Sequence, residues 1–158
     1  EKNSADLELL MPVYLRIWNH PDNLKFLSFT GCKFTESQLQ QWCSNHLSMG
    51  IRYDAVYDSD EKISGLLLCK ADPLTGFELF SIGIDPDRKR KGLGRMLIRH
   101  GIERAMALEY ASIDGQVFCH NKAMLCLLIS MGFVPVRLDH HRGPCGEDLL
   151  HLKKYLQP

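Results

Sequence analysis

The sequence lacks several features that would assign it to a common functional class. Its six cysteines are scattered without a Cys-x-x-Cys pair, so no zinc or other metal site is expected. The formal net charge of zero at pH 7 argues against a general nucleic-acid-binding protein. No apolar run approaches the length of a membrane span, and the N-terminus lacks the shape of a signal peptide. Together these absences favour a cytoplasmic protein with reduced thiols that does not act at a membrane.

The length of 158 residues predicts one domain over residues 1–158 with its own core. Apolar spacing predicts a first helix over residues 7–18, interrupted at Pro12, and then a long irregular connection over residues 19–33. A capping-box pattern at Thr35 begins a second helix that Gly50 ends. The remaining predicted elements are strands at residues 52–57, 63–70, 77–84, 111–118, 133–138 and 148–155, and helices at residues 94–108 and 121–131.

A basic, glycine-containing run lies where the third predicted strand hands over to a helix. Gly92 and Gly94 are surrounded there by Arg88, Lys89, Arg90, Lys91, Arg95 and Arg99. Glycine lets the backbone approach a ligand closely. The first turn of a helix carries unpaired N–H groups and the positive end of the helix dipole, both of which favour a phosphate. The run therefore predicts a pyrophosphate-binding loop, with a solvated basic turn as the alternative.

Two familiar phosphate motifs do not fit this run. The dinucleotide fingerprint needs a third glycine, and that position is occupied by Leu97. A Walker loop needs a Gly-Lys-Ser/Thr sequence, which is absent from the chain. The glycine spacing therefore indicates neither a Rossmann domain nor a P-loop NTPase.

The run does resemble the acyl-CoA loop of the GCN5-related N-acetyltransferases, whose pattern is Gln or Arg, two residues, Gly, one residue, then Gly or Ala. Lys89 departs from the usual first residue of that pattern but remains cationic. The order of predicted elements, with Asn121 opening a helix that ends at Gly132-Phe133, is similar to that family over essentially the whole chain. Because only six residues precede Leu7, the family's first strand is missing, very short or not included.

The resemblance implies an α/β (α+β) fold. Its mixed, mostly antiparallel central sheet would have about six to seven strands, flanked by helices on both faces. It also implies acetyl-CoA as co-substrate, with no metal. The cofactor-binding residues that it implies are Ile82, Gly83 and Ile84 through their backbone, together with Lys89, Arg90, Lys91, Gly92, Leu93, Gly94, Arg95 and Asn121. Gly83, inside the strand, indicates either a bulge or a close backbone approach.

Glu78 is the predicted general base. A primary amine is almost fully protonated at neutral pH, so a site that acetylates it must remove a proton. Glu78 precedes Gly92 by the offset at which the histone-modifying branch of the family carries its glutamate. Strand alternation is expected to place it on the face of Phe80, Ile82 and Ile84, where apolar neighbours would raise its pKa. The alternative is a glutamate that opens the strand in water.

Two further positions bear on the chemistry. Asn121 can bond the cofactor, cap its own helix, or do both. Leu128 occupies the position at which many family members carry a tyrosine that acts as general acid. The acid is therefore unassigned, with Cys126, Ser130 and Tyr155 as candidates that the sequence does not place.

The function implied is an N-acetyltransferase that transfers the acetyl group of acetyl-CoA directly to a primary amine in a ternary complex. The partner would be an amine, carried by a small molecule or a protein, and a homodimer is left open. The alternative from another class is a non-catalytic module that binds or senses acyl-CoA. Leu128 keeps that alternative open, and Glu78 argues against it.

Overall fold

A six-stranded sheet separates two groups of helices in this computed structural model, which describes residues 4–156 of the chain. A short 3₁₀ turn at Pro86–Arg88 follows the third strand. The helices are α1 (Ser4–Trp18), α2 (Pro21–Leu27), α3 (Glu36–Ser48), α4 (Leu93–Ala107) and α5 (Lys122–Ser130). The strands are β1 (Ile51–Tyr57), β2 (Ile63–Asp72), β3 (Gly76–Ile84), β4 (Ser112–Phe118), β5 (Val134–Asp139) and β6 (Leu149–Tyr155).

The strand order across the sheet is β1-β2-β3-β4-β6-β5. Each neighbouring pair is antiparallel except β3 and β4, which run parallel and are connected through α4. The mixed, mostly antiparallel sheet with helices on both faces is confirmed, and every predicted strand is present within about two residues of its predicted bounds. Among residues 4–156, no strand precedes α1.

Two hydrophobic clusters pack on opposite faces of the sheet. One joins α1 and α3 to β1 and β2, with Ile17, Leu39 and Leu66 fully buried. The other joins α4 and α5 to the centre of the sheet, with Phe77 and Ile113 fully buried. Strand alternation explains the division, since Leu66 and Leu68 face one cluster while Leu67 and Cys69 face the other.

The irregular connection predicted at residues 19–33 is wrong in part, because α2 occupies its first half. The His20 ring nitrogen accepts a hydrogen bond from the Asp22 N–H at 3.2 Å, which caps the helix. Pro21 at the first helical position needs no donor there. Pro12 does not divide α1, which continues through it to Trp18.

Helical spacing in the sequence predicts that Leu39, Trp42, Cys43 and Leu47 form the buried face of α3, and that one face of α4 includes Leu97, Ile98 and Leu108. The structure differs from this prediction at Trp42 and at Leu108. Trp42 of α3 is 42% exposed, although its neighbours Leu39 and Cys43 are buried as predicted. Leu108, which follows α4, is 51% exposed, whereas Leu97 and Ile98 are buried. Leu108 lies outside the helical repeat because α4 ends at Ala107.

Asn23 connects α2 to two other elements. Its side-chain amide donates to the carbonyl of Ile17 at 2.8 Å and to the carbonyl of Ile84 at 2.9 Å. Asn23 is only 6% exposed. If its side chain were removed, both carbonyls would lose their hydrogen-bond donor at a site that water reaches poorly. The short helix is thereby fixed against the end of β3.

Asn23→Ala is expected to lower the free energy of unfolding by about 1–3 kcal/mol, because two carbonyls lose their buried donor. Urea unfolding followed by circular dichroism measures the change. Gln41→Ala, on the exposed face of α3, is the matched control and should change stability by less than about 0.5 kcal/mol. Equal stability of the two variants would contradict the anchoring role of Asn23.

Within the described residues, no helix has the length and apolar character needed to cross a membrane.

Candidate active site

The two central strands of the sheet, β3 and β4, are paired over only a short stretch. β3 pairs with β4 only at Phe77, Glu78 and Leu79, although both strands continue beyond that point. The rest of β3 therefore presents a backbone edge to a gap in the middle of the sheet. An open strand edge offers N–H and C=O groups that an extended ligand can bind.

A β-bulge at Phe80 changes the alternation of β3. Leu79 and the residue after Phe80 pair with consecutive residues of β2, so Phe80 is the extra residue. Beyond the bulge, Ile82 and Ile84 pack in the same cluster as Leu79, on the face of α4 and α5. The expectation that Glu78 shares a face with Ile82 and Ile84 is therefore wrong, and only Phe80 accompanies it.

The hydrogen-bond pattern of β3 distinguishes the three backbone positions predicted to contact a cofactor. Asp85 N–H donates to a carbonyl of β2 at 2.9 Å, and hydrogen-bonded pairs alternate along an antiparallel ladder. Counting back along the register, Gly83 bonds to β2, whereas the N–H and C=O of Ile82 and Ile84 point toward the gap. The Ile84 carbonyl is occupied by Asn23, which leaves Ile82 as the better-placed backbone contact.

Gly83 allows α1 to approach β3 closely and does not form a β-bulge. A Cβ atom on this residue would lie 2.6 Å from the Trp18 ring and 2.8 Å from Ile17. Both neighbours belong to α1, so the glycine lets α1 pack directly on the end of β3.

A cavity of about 460 Å³ passes through the gap and reaches both faces of the sheet. Its walls include Ile98 of α4 and Met124 of α5 on one side, and Tyr14 of α1 and Trp42 of α3 on the other. The volume is in the range of small-molecule sites. Of the residues predicted for the site, the cavity lining includes Glu78, Ile82 and Asn121.

Glu78 lies on the wall of this cavity, half-buried beside β4. Its Oε1 atom accepts a hydrogen bond from Gln116 Nε2 at 3.1 Å. Burial raises the pKa of the Glu78 carboxyl, and Asp114 adds to the increase, while Lys70 and the Gln116 hydrogen bond oppose it. A carboxylate with a raised pKa is a stronger base, as a proton-accepting role requires.

The N-terminus of α4 has free donors. The first intrahelical bond is Met96 N–H to the Gly92 carbonyl at 3.0 Å, so the N–H groups of Leu93, Gly94 and Arg95 precede it. Gly92, the N-cap, makes no side-chain cap bond and has a φ of +79°, in the left-handed region. A Cβ on Gly92 would meet no atom within 4 Å, so the space beside Gly92 at the start of the helix is open. The arrangement can accept an anion.

The basic side chains around that helix start have different surroundings. Arg90 and Lys91 are exposed, whereas Arg95 donates to Ser130 Oγ at 2.9 Å and Arg88 pairs with Asp58 at 2.8 Å. Burial lowers the pKa of the Lys89 amine, which lies 3.4 Å from a carbonyl of α2. Arg90 and Lys91 are therefore the cations best placed for an incoming phosphate.

Asn121 caps α5 and also faces the cavity. Its Oδ1 atom accepts from the Met124 N–H at 3.3 Å, while its amide nitrogen carries two donor hydrogens. Leu128 is 4% exposed and lines the same cavity. The candidate acids Cys126, Ser130 and Tyr155 are exposed and do not belong to that lining.

Two polar residues of the cavity wall carry no motif in the sequence that would have pointed to them. His46 Nδ1 lies 2.6 Å from the Tyr53 hydroxyl, and its ring is 5.2 Å from that of Phe80. Burial lowers the pKa of His46, so its imidazole is neutral at neutral pH. Burial also raises the pKa of the Tyr14 hydroxyl, which stays protonated. The spacing of α3 predicted a buried face of Leu39, Trp42, Cys43 and Leu47 and did not include His46.

The model of the acetyltransferase (GNAT) family matches residues 11–133. A [ribosomal protein bS18]-alanine N-acetyltransferase of Salmonella typhimurium is 40% identical over 69 residues, which are 44% of this chain and 47% of that enzyme. The match thus spans about half the length of that relative.

Solved structures agree over nearly the whole chain. The ribosomal-protein-S18-alanine N-acetyltransferase of Escherichia coli superposes with a TM-score of 0.76 at 21% identity, covering 99% of this chain and 92% of that one. A phosphinothricin acetyltransferase of Sinorhizobium meliloti, solved in complex with AcCoA, gives 0.77 at 17% identity, covering 99% and 86%. At these identities the likeness is one of fold.

Proposed function

Since this chain belongs to the acetyltransferase (GNAT) family, we propose that it transfers the acetyl group of acetyl-CoA to a primary amine. The observation that carries the proposal is that Glu78 and the free backbone edge of β3 at Ile82 line one cavity. One domain over residues 1–158 would perform the reaction. Acetyl-CoA supplies the acetyl group as a thioester, whose thiol leaves with little assistance because its pKa resembles that of cysteine.

The chain offers a place for each part of this co-substrate. The amides of Leu93, Gly94 and Arg95, which precede the first intrahelical bond of α4, would bind the pyrophosphate together with the exposed side chains of Arg90 and Lys91. The gap between β3 and β4 leads from that region into the cavity, and Ile82 offers an N–H group along the way. Asn121 can add a side-chain donor from the opposite wall.

The proposed chemical role of Glu78 is to take the proton of the ammonium group, directly or through one water. The nitrogen lone pair then forms the N–C bond to the acetyl carbon, and the C–S bond breaks. The departing sulfur takes a proton from solvent or from a group on the cavity wall, so the products are an amide and free CoA thiol. Gln116 holds the Glu78 carboxylate by the bond at 3.1 Å.

Thiol release tests the proposal. The protein is incubated with acetyl-CoA and a panel of primary amines, and free thiol is measured with a chromogenic disulfide. Amine-dependent release is expected, together with mass-spectrometric detection of the acetylated amine. Binding of acetyl-CoA by calorimetry without thiol release for any amine would instead indicate a binding module.

CoA affinity is expected to fall as salt rises from 0.05 to 0.5 M, because the exposed charges of Arg90 and Lys91 are screened within about 10 Å at 0.1 M salt. Calorimetric titrations over this range measure the effect. Arg90→Gln should flatten the salt dependence, whereas Arg52→Gln on β1, away from the loop, should leave it unchanged. Salt-independent binding would mean that the basic run only solvates the turn.

A cytoplasmic site of action is part of the proposal. All six cysteines are free thiols, and Cys43 and Cys69 are buried in the two cores. Such thiols need no oxidising compartment.

A further inference from the structure

The half of the cavity on the α1–α3 face is built from aromatic rings. Tyr14 stacks on Trp18 with ring centroids 4.1 Å apart, and Phe34 meets Trp42 edge-on at 5.2 Å. Phe80, on the same face of β3 as Glu78, completes this wall beside His46. We call this half of the cavity, lined by Tyr14, Trp18, Phe34, Trp42, His46 and Phe80, the aromatic chamber. Rings in this arrangement offer both apolar area and negative π faces.

The described lining of the cavity contains few charged side chains. Among the described residues that line it, Glu78 is the only one with an aspartate, glutamate, lysine or arginine side chain. The imidazole of His46 adds no charge at neutral pH, because burial lowers its pKa. The cavity thus combines the aromatic chamber with one negative side chain, Glu78, among its described lining residues.

This combination selects against two kinds of amine. A substrate carboxylate or phosphate buried in the chamber would meet no lysine or arginine among the lining residues, and an unpaired buried charge is strongly unfavourable. A second ammonium would find no second acid among the described lining residues. Asp114 and Lys70 act on Glu78 from outside the lining. They are themselves paired, Asp114 with Lys153 at 3.0 Å and Lys70 with Asp72 at 3.8 Å. A single ammonium, by contrast, has the Glu78 carboxylate and the surrounding ring faces as partners.

We propose that the acceptor is a lipophilic primary monoamine, an arylalkylamine of the size of 2-phenylethylamine, that carries no anionic group. This inference rests on the proposed acetyltransferase function and specifies its substrate. The body of the amine occupies the aromatic chamber, and its nitrogen lies at Glu78. The cavity of about 460 Å³ holds such a body together with the end of the cofactor arm.

The two tryptophans of the chain report on this site directly. The sequence contains two, Trp18 and Trp42, and both line the aromatic chamber. Tryptophan fluorescence is titrated with 2-phenylethylamine, phenylalanine and 1,4-diaminobutane in the presence of CoA. The expected result is a saturable change at an at least tenfold lower concentration of 2-phenylethylamine than of either competitor. This readout does not depend on catalysis.

Turnover is measured with the same three amines and an alanine-starting tetrapeptide. The highest kcat/KM is expected for 2-phenylethylamine, by at least tenfold. Trp42→Ala should raise KM for 2-phenylethylamine about tenfold, since an aromatic contact is lost, while KM for acetyl-CoA stays unchanged. Met106→Ala is the matched control, because Met106 is also exposed on a helix but lies outside the cavity lining.

A charge variant sharpens the test. Asn45 is an exposed residue of α3 on the cavity wall, so Asn45→Asp adds a second negative group without a change in size. The variant should gain at least fivefold in kcat/KM for 1,4-diaminobutane relative to 2-phenylethylamine. An unchanged ratio would mean that charge in the chamber does not select the acceptor, and would overturn the inference.

The outcomes separate the substrate from the reaction. A preference of the parent protein for phenylalanine, the diamine or the peptide overturns the proposed substrate class but leaves the acetyltransferase function standing. The proposed substrate class is also overturned if 2-phenylethylamine neither changes the fluorescence nor is acetylated while another amine is turned over. The acetyltransferase function again stands in that case. Absence of thiol release with every amine overturns both proposals.

Discussion

Replacement of Glu78 by glutamine is expected to lower kcat at pH 7 by about 10²–10⁴-fold, the usual contribution of a general base. Glutamine keeps the shape of the side chain and can still bond to Gln116, but it cannot accept the proton. Steady-state rates of thiol release measure the loss. The affinity for CoA should stay unchanged, because Glu78 lies at the other end of β3 from the phosphate-binding helix start.

The pH dependence of the activity should also differ between the parent protein and Glu78→Gln. Burial raises the pKa of Glu78, so the parent protein should lose activity as pH falls through a value above that of an ordinary glutamate. In Glu78→Gln that limb should vanish, and raising the pH should restore much of the rate by supplying free amine. Glu103→Gln, an exposed position of α4, is the control and should behave like the parent. Full activity of Glu78→Gln at every pH would assign the proton transfer elsewhere.

Gly92→Val is expected to weaken CoA binding by about 100-fold or more. The new side chain would occupy the open space beside Gly92 at the start of α4, where it is expected to hinder hydrogen bonds from the helix amides to a phosphate, each worth about 1.5–3 kcal/mol. Calorimetry measures the affinity. Gly94→Val is a less direct test, since a Cβ at Gly94 would already lie 3.3 Å from Leu127 and disturb the packing of α5.

Gly76→Val is the matched control for the backbone strain. Gly76 also has a positive φ, +105°, and a Cβ there would likewise meet no atom within 4 Å. Both valine variants should therefore lose similar stability, by about 1–2 kcal/mol, in urea unfolding. Equal CoA affinity of the two variants would contradict the phosphate-binding role of Gly92.

Much of the fold follows from periodicity and end signals that are local in sequence. The capping box at Thr35 begins α3 as predicted, with Gln38 bonding back to it, and Asn121 caps α5. These features depend on residues three or four apart, so the sequence alone reports them. The basic loop was likewise recognisable, because its glycines lie at a strand-to-helix junction.

The features that escaped prediction depend on contacts distant in sequence. The bulge at Phe80 exists only relative to the register of β2, and one extra residue reverses the faces of Ile82 and Ile84. The seven residues of α2 are too few for a periodic pattern, and the helix is held by tertiary bonds from Asn23. His46 enters the cavity wall through packing against Phe80, which no motif encodes.

Because β3 and β4 pair at only three residues, a ligand that binds between them should raise the thermal stability of the protein. The hydrogen bonds between β3 and β4 stop after these pairs, although both strands continue. The arm of acetyl-CoA would lie in the resulting gap, where further β3–β4 hydrogen bonds could have formed. A ligand that binds the folded state stabilises it by about 2.7 kcal/mol at one hundred times its Kd. We therefore expect the melting temperature to rise with acetyl-CoA concentration. Hydrogen exchange should slow most at residues 81–84 and 116–118, as the co-substrate joins the two halves of the sheet.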